Sequence, residues 1–241
     1  MPEAQQAGGP PTVLITGCSR GIGLEFARQY AAKGWQVIAS CRAPESASAL
    51  TAVAAEYPGM IIETLDVTQH DMVDALARKY LDTPIDVLIN NAGISGGYEN
   101  QVFGGIRYDH FSDVFATNFM APLKMAESFI EHVAASNQKK IMNISSMPSS
   151  IGLSTGGQYI DRPSKASLNM AMRSLSKDAA KRGIIIGLLA PGLVDTDLTR
   201  ELDFPKISPE DSVALLIDLI EEFSPEQSGT LIQHTGETLP W

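Results

Sequence analysis

The apolar positions of this chain fall in short uninterrupted runs, each followed by a longer stretch whose apolar residues recur at helical spacing. Thr12–Thr16 (TVLIT) reads as a buried strand, and Gly21–Lys33 follows as a helix that Gly34 ends. Trp35–Ser40 is a second strand, with a helix over Glu45–Glu56; Met60–Leu65 is a third, with a helix from about His70 to Tyr80; Ile85–Asn90 is a fourth. The alternation continues through a long helix across Tyr108–Ala135, a strand at Lys140–Ile144 and a helix at Ser164–Arg182. The apolar run Ile184–Leu189, a helix at Pro209–Phe223 and a closing strand at Gly229–Ile232 complete it. Strands that are apolar throughout leave no face for solvent, so they imply a parallel sheet covered by helices on both sides. The pattern predicts a three-layer, doubly wound α/β domain over 12–241 with a mostly parallel seven-stranded sheet, after a loose tail at 1–11. A ligand in such a domain lies beyond the C-terminal strand ends, where the strand order reverses.

Composition narrows the partners. The 241 residues are 44% apolar and 19% charged, enough to fill one large core, and the formal charge is −10. That balance argues against nucleic-acid or anionic-membrane partners and favours a small-molecule substrate. No apolar run is long enough to cross a bilayer, and the first residues lack the basic and apolar regions of a secretory signal. Cys18 and Cys41 form no disulfide framework, and His70, His110, His132 and His234 show no metal spacing. Two free thiols fit a reducing, cytoplasmic compartment.

The candidate chemistry starts where the first strand runs into Thr16-Gly17-Cys18-Ser19-Arg20-Gly21-Ile22-Gly23. Glycines between a strand and a helix N-terminus allow a tight turn and close approach of a pyrophosphate. The second strand ends Ala39-Ser40-Cys41-Arg42, without the acid that would bond a ribose 2′-hydroxyl. Arg42 and Arg20 instead suit a 2′-phosphate, so the expected cofactor is NADP(H).

With these residues in view the sequence resembles the short-chain dehydrogenase/reductase family, which has a Rossmann fold. Thr16–Gly23 is similar to its TGxxxGIG turn, Asp66-Val67 to its adenine-contacting pair, and Asn90-Asn91-Ala92-Gly93 to its NNAG motif. Asn118 resembles the helix Asn of its proton relay, Ser146 in Ile144-Ser145-Ser146 its active-site Ser, and Lys165 its catalytic Lys. Pro191-Gly192, with Val194 and Thr196, resembles the loop at the nicotinamide end, and 193–207 resembles a substrate lid. The ending Gly236–Trp241 looks like the C-factor/sniffer-type carbonyl-reductase branch. The resemblance also implies a dimer or tetramer, paired through the helices near 108–135 and 164–182.

The family signature is YxxxK, and here the segment reads Gly156-Gly157-Gln158-Tyr159-Ile160-Asp161-Arg162-Pro163-Ser164-Lys165. Either Asp161 stands where the Tyr should be, without a gap, or Tyr159 is the acid and two extra residues precede the Lys. On a continuous helix a residue six positions from Lys165 is turned roughly 240° away from it, which favours Asp161. An ionised carboxylate has no proton to give a developing alkoxide, but it attracts a cation. The expected site is therefore Asn118, Ser146, Asp161 and Lys165, reducing an imine, iminium or other basic, amine-containing substrate. Ordinary carbonyl reduction through Tyr159, a non-redox enzyme and a redox-silent NADP-binding protein remain the alternatives. The stretch Ile94–His110 is either a substrate cover or a solvated connection. Ser145 and Ser149 read as structural hydroxyls, and Asp195, Asp197, Glu201 and Asp203 as solvated charges that would suit a cationic guest.

Overall fold

In the computed structural model, which describes residues 9–241, each apolar run is a strand and each amphipathic stretch a helix. In chain order the main elements are β1 (Thr12–Thr16), α1 (Gly21–Ala32), β2 (Gln36–Cys41), α2 (Ser48–Glu56), β3 (Met60–Thr64), α3 (His70–Lys79) and β4 (Val87–Asn90). Then come α4 (Phe111–Phe115), α5 (Ala121–Ala134), β5 (Lys140–Ile144), α6 (Asp161–Ala179), β6 (Ile185–Ala190), α7 (Pro209–Glu222) and β7 (Leu231–Gln233). The sheet has seven strands in the order β3-β2-β1-β4-β5-β6-β7, and every ladder is parallel. β1 pairs Val13 with Val37 of β2 on one side and Val87 of β4 on the other, so the winding reverses between β1 and β4. The tail predicted at 1–11 lies outside the described residues as far as residue 8.

Strand parity divides the core. Val13 and Ile15 face Phe26 and Tyr30 of α1, Leu50 of α2 and Leu216 of α7. Leu14 faces the opposite layer, with Val73 of α3, Phe129 of α5 and Met172 of α6. Fully burying each such side chain stabilises the fold by roughly 1.5–3 kcal/mol, which is why the strands tolerate so few polar residues.

Several boundaries differ from the sequence pattern. The helix expected over Tyr108–Ala135 is interrupted by a π-helical turn at Ala116–Met120. Pro122 lies four residues after Asn118; it has no N–H for that carbonyl and its ring crowds the preceding turn, which widens the helix there. The helix expected from Glu45 splits into a 3-10 turn at Pro44–Ser46 and α2, because Ala47 leaves the helical region at φ −91°, ψ 60°. α6 starts at Asp161 rather than Ser164, since Pro163 falls in the first turn, where its missing N–H costs nothing. The last strand begins at Leu231, not Gly229, whose φ of +77° is outside the strand region.

Asp86, buried just before β4, ties together the N-terminal ends of the central strands, away from the cavity. Its carboxylate accepts hydrogen bonds from Thr12 N at 2.9 Å, Asn137 N at 3.3 Å and Gln138 N at 3.4 Å. Asp86→Ala strands these donors and is expected to cost about 3 kcal/mol in urea unfolding, with Asp86→Asn costing less. Equal stability of the Ala variant and the parent would show that the carboxylate does not tie the two loops together.

Candidate active site

A cavity of about 970 Å³ opens beyond the C-terminal strand ends, at the β1/β4 reversal. Gly17, at φ +75°, turns the chain out of β1, and a Cβ there would lie 2.8 Å from Ala92 Cα. A Cβ on Gly23 would meet the Gly17 carbonyl oxygen at 2.3 Å. Both glycines let the turn pack against neighbouring backbone, and Gly17, Gly21 and Gly23 line the cavity. Arg20 caps α1 without a side-chain hydrogen bond, so the N–H groups of its first turn are left for a ligand, beside Ser19, Gly21 and Ile22.

Thr16 holds this turn to the end of β4. Its Oγ1 accepts from Asn91 N and Ala92 N, both at 3.0 Å, while Asn91 Nδ2 donates to Thr16 O at 2.8 Å. Asn91, Ala92 and Gly93 thereby form the next stretch of wall. The β2 end contributes Cys41 and Arg42 and no carboxylate. Asp66 and Val67 follow after β3, where Asp66 Oδ1 accepts from Thr68 N at 2.9 Å and Thr68 Oγ1 at 2.7 Å. Burial pushes the Cys18 thiol far above the ordinary thiol range, so it acts as packing beneath the turn. Pro191, Gly192, Val194 and Thr196 line the opposite side. The segment beyond them returns to the wall through a Val194–Ile207 bridge. Asp197 in that segment pairs with Arg20 at 3.4 Å and with Arg200, and Asp195 lies 3.8 Å from Lys206; both acids are exposed, so these are solvated surface pairs.

The far end of the cavity, with the candidate catalytic residues, is built from three elements. Asn118, in the π turn, accepts from Ile94 N at 3.0 Å and donates to Ile94 O at 3.0 Å and Ser164 Oγ at 3.1 Å. Ser145 Oγ donates to Asn169 Oδ1 at 2.7 Å, and Asn169 Nδ2 donates to Ser149 Oγ at 2.8 Å, a closed buried set. That leaves Ser146, the next residue, on the cavity wall. Lys165 Nζ donates to Ile144 O at 2.6 Å. Burial pulls its ammonium down to about 8, against the opposing pull of the Asp161 carboxylate.

Asp161 and Lys165 are one turn apart on α6 and both line the cavity. The Asp161 carboxylate accepts three hydrogen bonds from the 95–101 loop: Ser95 Oγ at 2.8 Å, Gly96 N at 3.0 Å and Gln101 Nε2 at 3.0 Å. Gln101 Oε1 in return accepts from Ile160 N at 3.0 Å and Asp161 N at 2.7 Å, capping α6 from outside the helix. Tyr159 is not on the cavity wall; it is 38% exposed, with its ring 5.8 Å from that of Phe103. The chain is not helical at 159. Gly156, Gly157 and Gln158 take φ of +86°, +70° and +54°, and this left-handed turn, rather than helical rotation, sets Tyr159 apart from Lys165. Sequence reasoning missed Ser95, Tyr98 and Gln101. They lie in a stretch without periodicity, and nothing local marks Gln101 as the partner of a residue 60 positions away.

A family profile described as short chain dehydrogenase matches residues 11–205. The chain belongs to that family. Among its relatives is 1-hydroxy-2-glutathionyl-2-methyl-3-butene dehydrogenase of Rhodococcus sp. (strain AD45), 33% identical over 237 residues, 95% of this chain and 99% of the relative. The C-signal protein of Myxococcus xanthus is 34% identical over 168 residues, 69% of this chain and 99% of the relative. Among solved structures, NADPH-bound carbonyl reductase from chicken fatty liver superposes with a TM-score of 0.89 at 30% identity, covering 97% of this chain and 100% of that one. Carbonyl reductase Sniffer of D. melanogaster does so with a TM-score of 0.87 at 29% identity, covering 96% and 100%. No helix among the described residues is long and apolar enough to cross a membrane.

The depressed Lys165 has a consequence for stability. The unfolded chain keeps a lysine proton up to about 10.4, whereas the fold releases it near 8, so between these values the unfolded state binds more protons and stability rises with pH. Relative to Lys165→Met, the cofactor-free parent is expected to gain on the order of 2–3 kcal/mol between about pH 8 and about pH 10, read from urea midpoints at each pH. A stability difference that stays flat across that window would mean the ammonium is not desolvated.

Proposed function

We propose that this chain is an NADP(H)-dependent reductase that converts a small carbonyl compound to the alcohol. The observation that carries the proposal is one cavity joining the first turn of α1 and the two arginines, Arg20 and Arg42, to Ser146, Asn118 and Lys165. The cradle fits a dinucleotide because glycines 17, 21 and 23 put the strand–helix turn, without side chains, on the cavity wall at the N-terminus of α1. The α1 N–H groups take the pyrophosphate, Arg42 and Arg20 neutralise the 2′-phosphate, and Lys165 holds the ribose near Ile144 O. When bound, the reduced nicotinamide supplies a hydride. The Ser146 hydroxyl orients the carbonyl oxygen, and Asn118 keeps the backbone at Ile94 in place beside it. The segment 193–207 covers the substrate, joined through Asp197 to Arg20 at the phosphate end. The solved relatives named as carbonyl reductases support this substrate class.

A second reading, reduction of a cationic C=N substrate, is favoured by the Asp161 carboxylate on the cavity wall. NADPH oxidation with acetophenone, benzaldehyde and an N-methylpyrrolinium salt separates the two. Carbonyl reduction predicts turnover of the neutral probes. The iminium reading predicts turnover of the salt alone, with Asp161→Asn lowering its kcat/KM by roughly 10–100-fold. Binding of NADPH without oxidation by any probe would leave a redox-silent protein. Cofactor choice is tested separately. Arg42→Ala is expected to weaken NADPH binding by roughly 10–100-fold and leave NADH nearly unchanged in a fluorescence titration. Equal losses for both cofactors would remove Arg42 from the 2′-phosphate.

A further inference from the structure

We propose that the phenol of Tyr98, in the cavity-lining loop that hydrogen-bonds to the Asp161 carboxylate, is the proton donor for carbonyl reduction in this chain. The inference rests on the carbonyl-reduction reading above and names the acid it lacks. Asp161 accepts three hydrogen bonds and offers no proton in return. The Lys165 ammonium is engaged with Ile144 O, and Tyr159 lies off the cavity wall against Phe103. Among the described residues that line the cavity, Tyr98 is the one tyrosine.

Its position is built rather than incidental. Tyr98 opens a one-turn 3-10 helix, Tyr98–Gln101, and both flanks of that turn are tied to Asp161, through Ser95 and Gly96 before it and Gln101 after it. Gly97, at φ +77°, makes the bend, and Gln101 Nε2 also donates to Gly97 O at 3.0 Å, closing the turn. None of the hydrogen bonds that tie down the loop uses the Tyr98 hydroxyl, which is left for a substrate. Partial burial and the nearby Asp161 charge hold the Tyr98 proton on, above the ordinary tyrosine range, so the group is protonated at neutral pH. An alkoxide is a far stronger base than a tyrosinate, so the transfer still runs downhill.

In the step, the carbonyl carbon accepts a hydride, the C=O π pair moves to oxygen, and oxygen takes the Tyr98 proton. The tyrosinate is reprotonated by water at the cavity mouth, giving one alcohol per hydride and proton consumed. Asp161 is thus a positioning residue, holding the loop that carries the acid.

Tyr98→Phe preserves the ring and the loop. It is expected to lower kcat for acetophenone or benzaldehyde by ~10²–10⁴-fold while the NADPH dissociation constant stays within about 2-fold. Tyr159→Phe is expected to stay within about 2-fold of the parent in both. Ultraviolet difference titration of the cofactor-free protein, parent minus Tyr98→Phe, should isolate a tyrosinate that titrates above the ordinary range and moves down in Asp161→Asn. Unchanged turnover in a folded Tyr98→Phe protein overturns the assignment, as does collapse in Tyr159→Phe. A parent that reduces neither carbonyl probe fails at the level of substrate class, and the role of Tyr98 falls with it.

Discussion

The Asp161 carboxylate holds together two parts of the chain that share no secondary structure. It takes three donors from the 95–101 loop, and Gln101 returns the contact by accepting from two N–H groups at the start of α6. This reciprocal exchange serves two needs. It satisfies helix-terminal donors that no local cap reaches, and it fixes an otherwise irregular loop against the far end of the cavity. A carboxylate beside a helix N-terminus is favourably placed with respect to the helix dipole, so the arrangement is electrostatically consistent as well as hydrogen-bonded.

The same residue sets the charge balance of the site. Lys165 is half-buried on the cavity wall, and desolvation pulls its ammonium down, while Asp161 one turn away resists that change. At the other end Arg20 lines the cavity and pairs with Asp197 of the segment that follows Gly192.

The helical framework explains why these groups sit where they do. Pro122 forces the π turn that aims Asn118 at Ile94 and Ser164. Three successive left-handed residues at 156–158 turn Tyr159 toward Phe103 before the helix begins. The closed set of Ser145, Ser149 and Asn169 anchors the loop after β5 and leaves Ser146 facing the cavity.

The fold was legible in the sequence because its signals are local and periodic. Apolar runs such as TVLIT are buried on both faces, so each alone implies a strand in a covered parallel sheet. The glycine turn, Arg42 and the Asp161–Lys165 spacing were readable for the same reason, since each depends on neighbours in the chain or one turn along a helix. What tertiary structure decided was which side chains from distant segments meet. Gln101 and Asp161 are 60 positions apart, Asn118 and Ser164 are 46 apart, and neither pair leaves a periodic trace. Hydrogen bonds between irregular segments depend on where the sheet carries each loop, and that placement exists only once the core has closed.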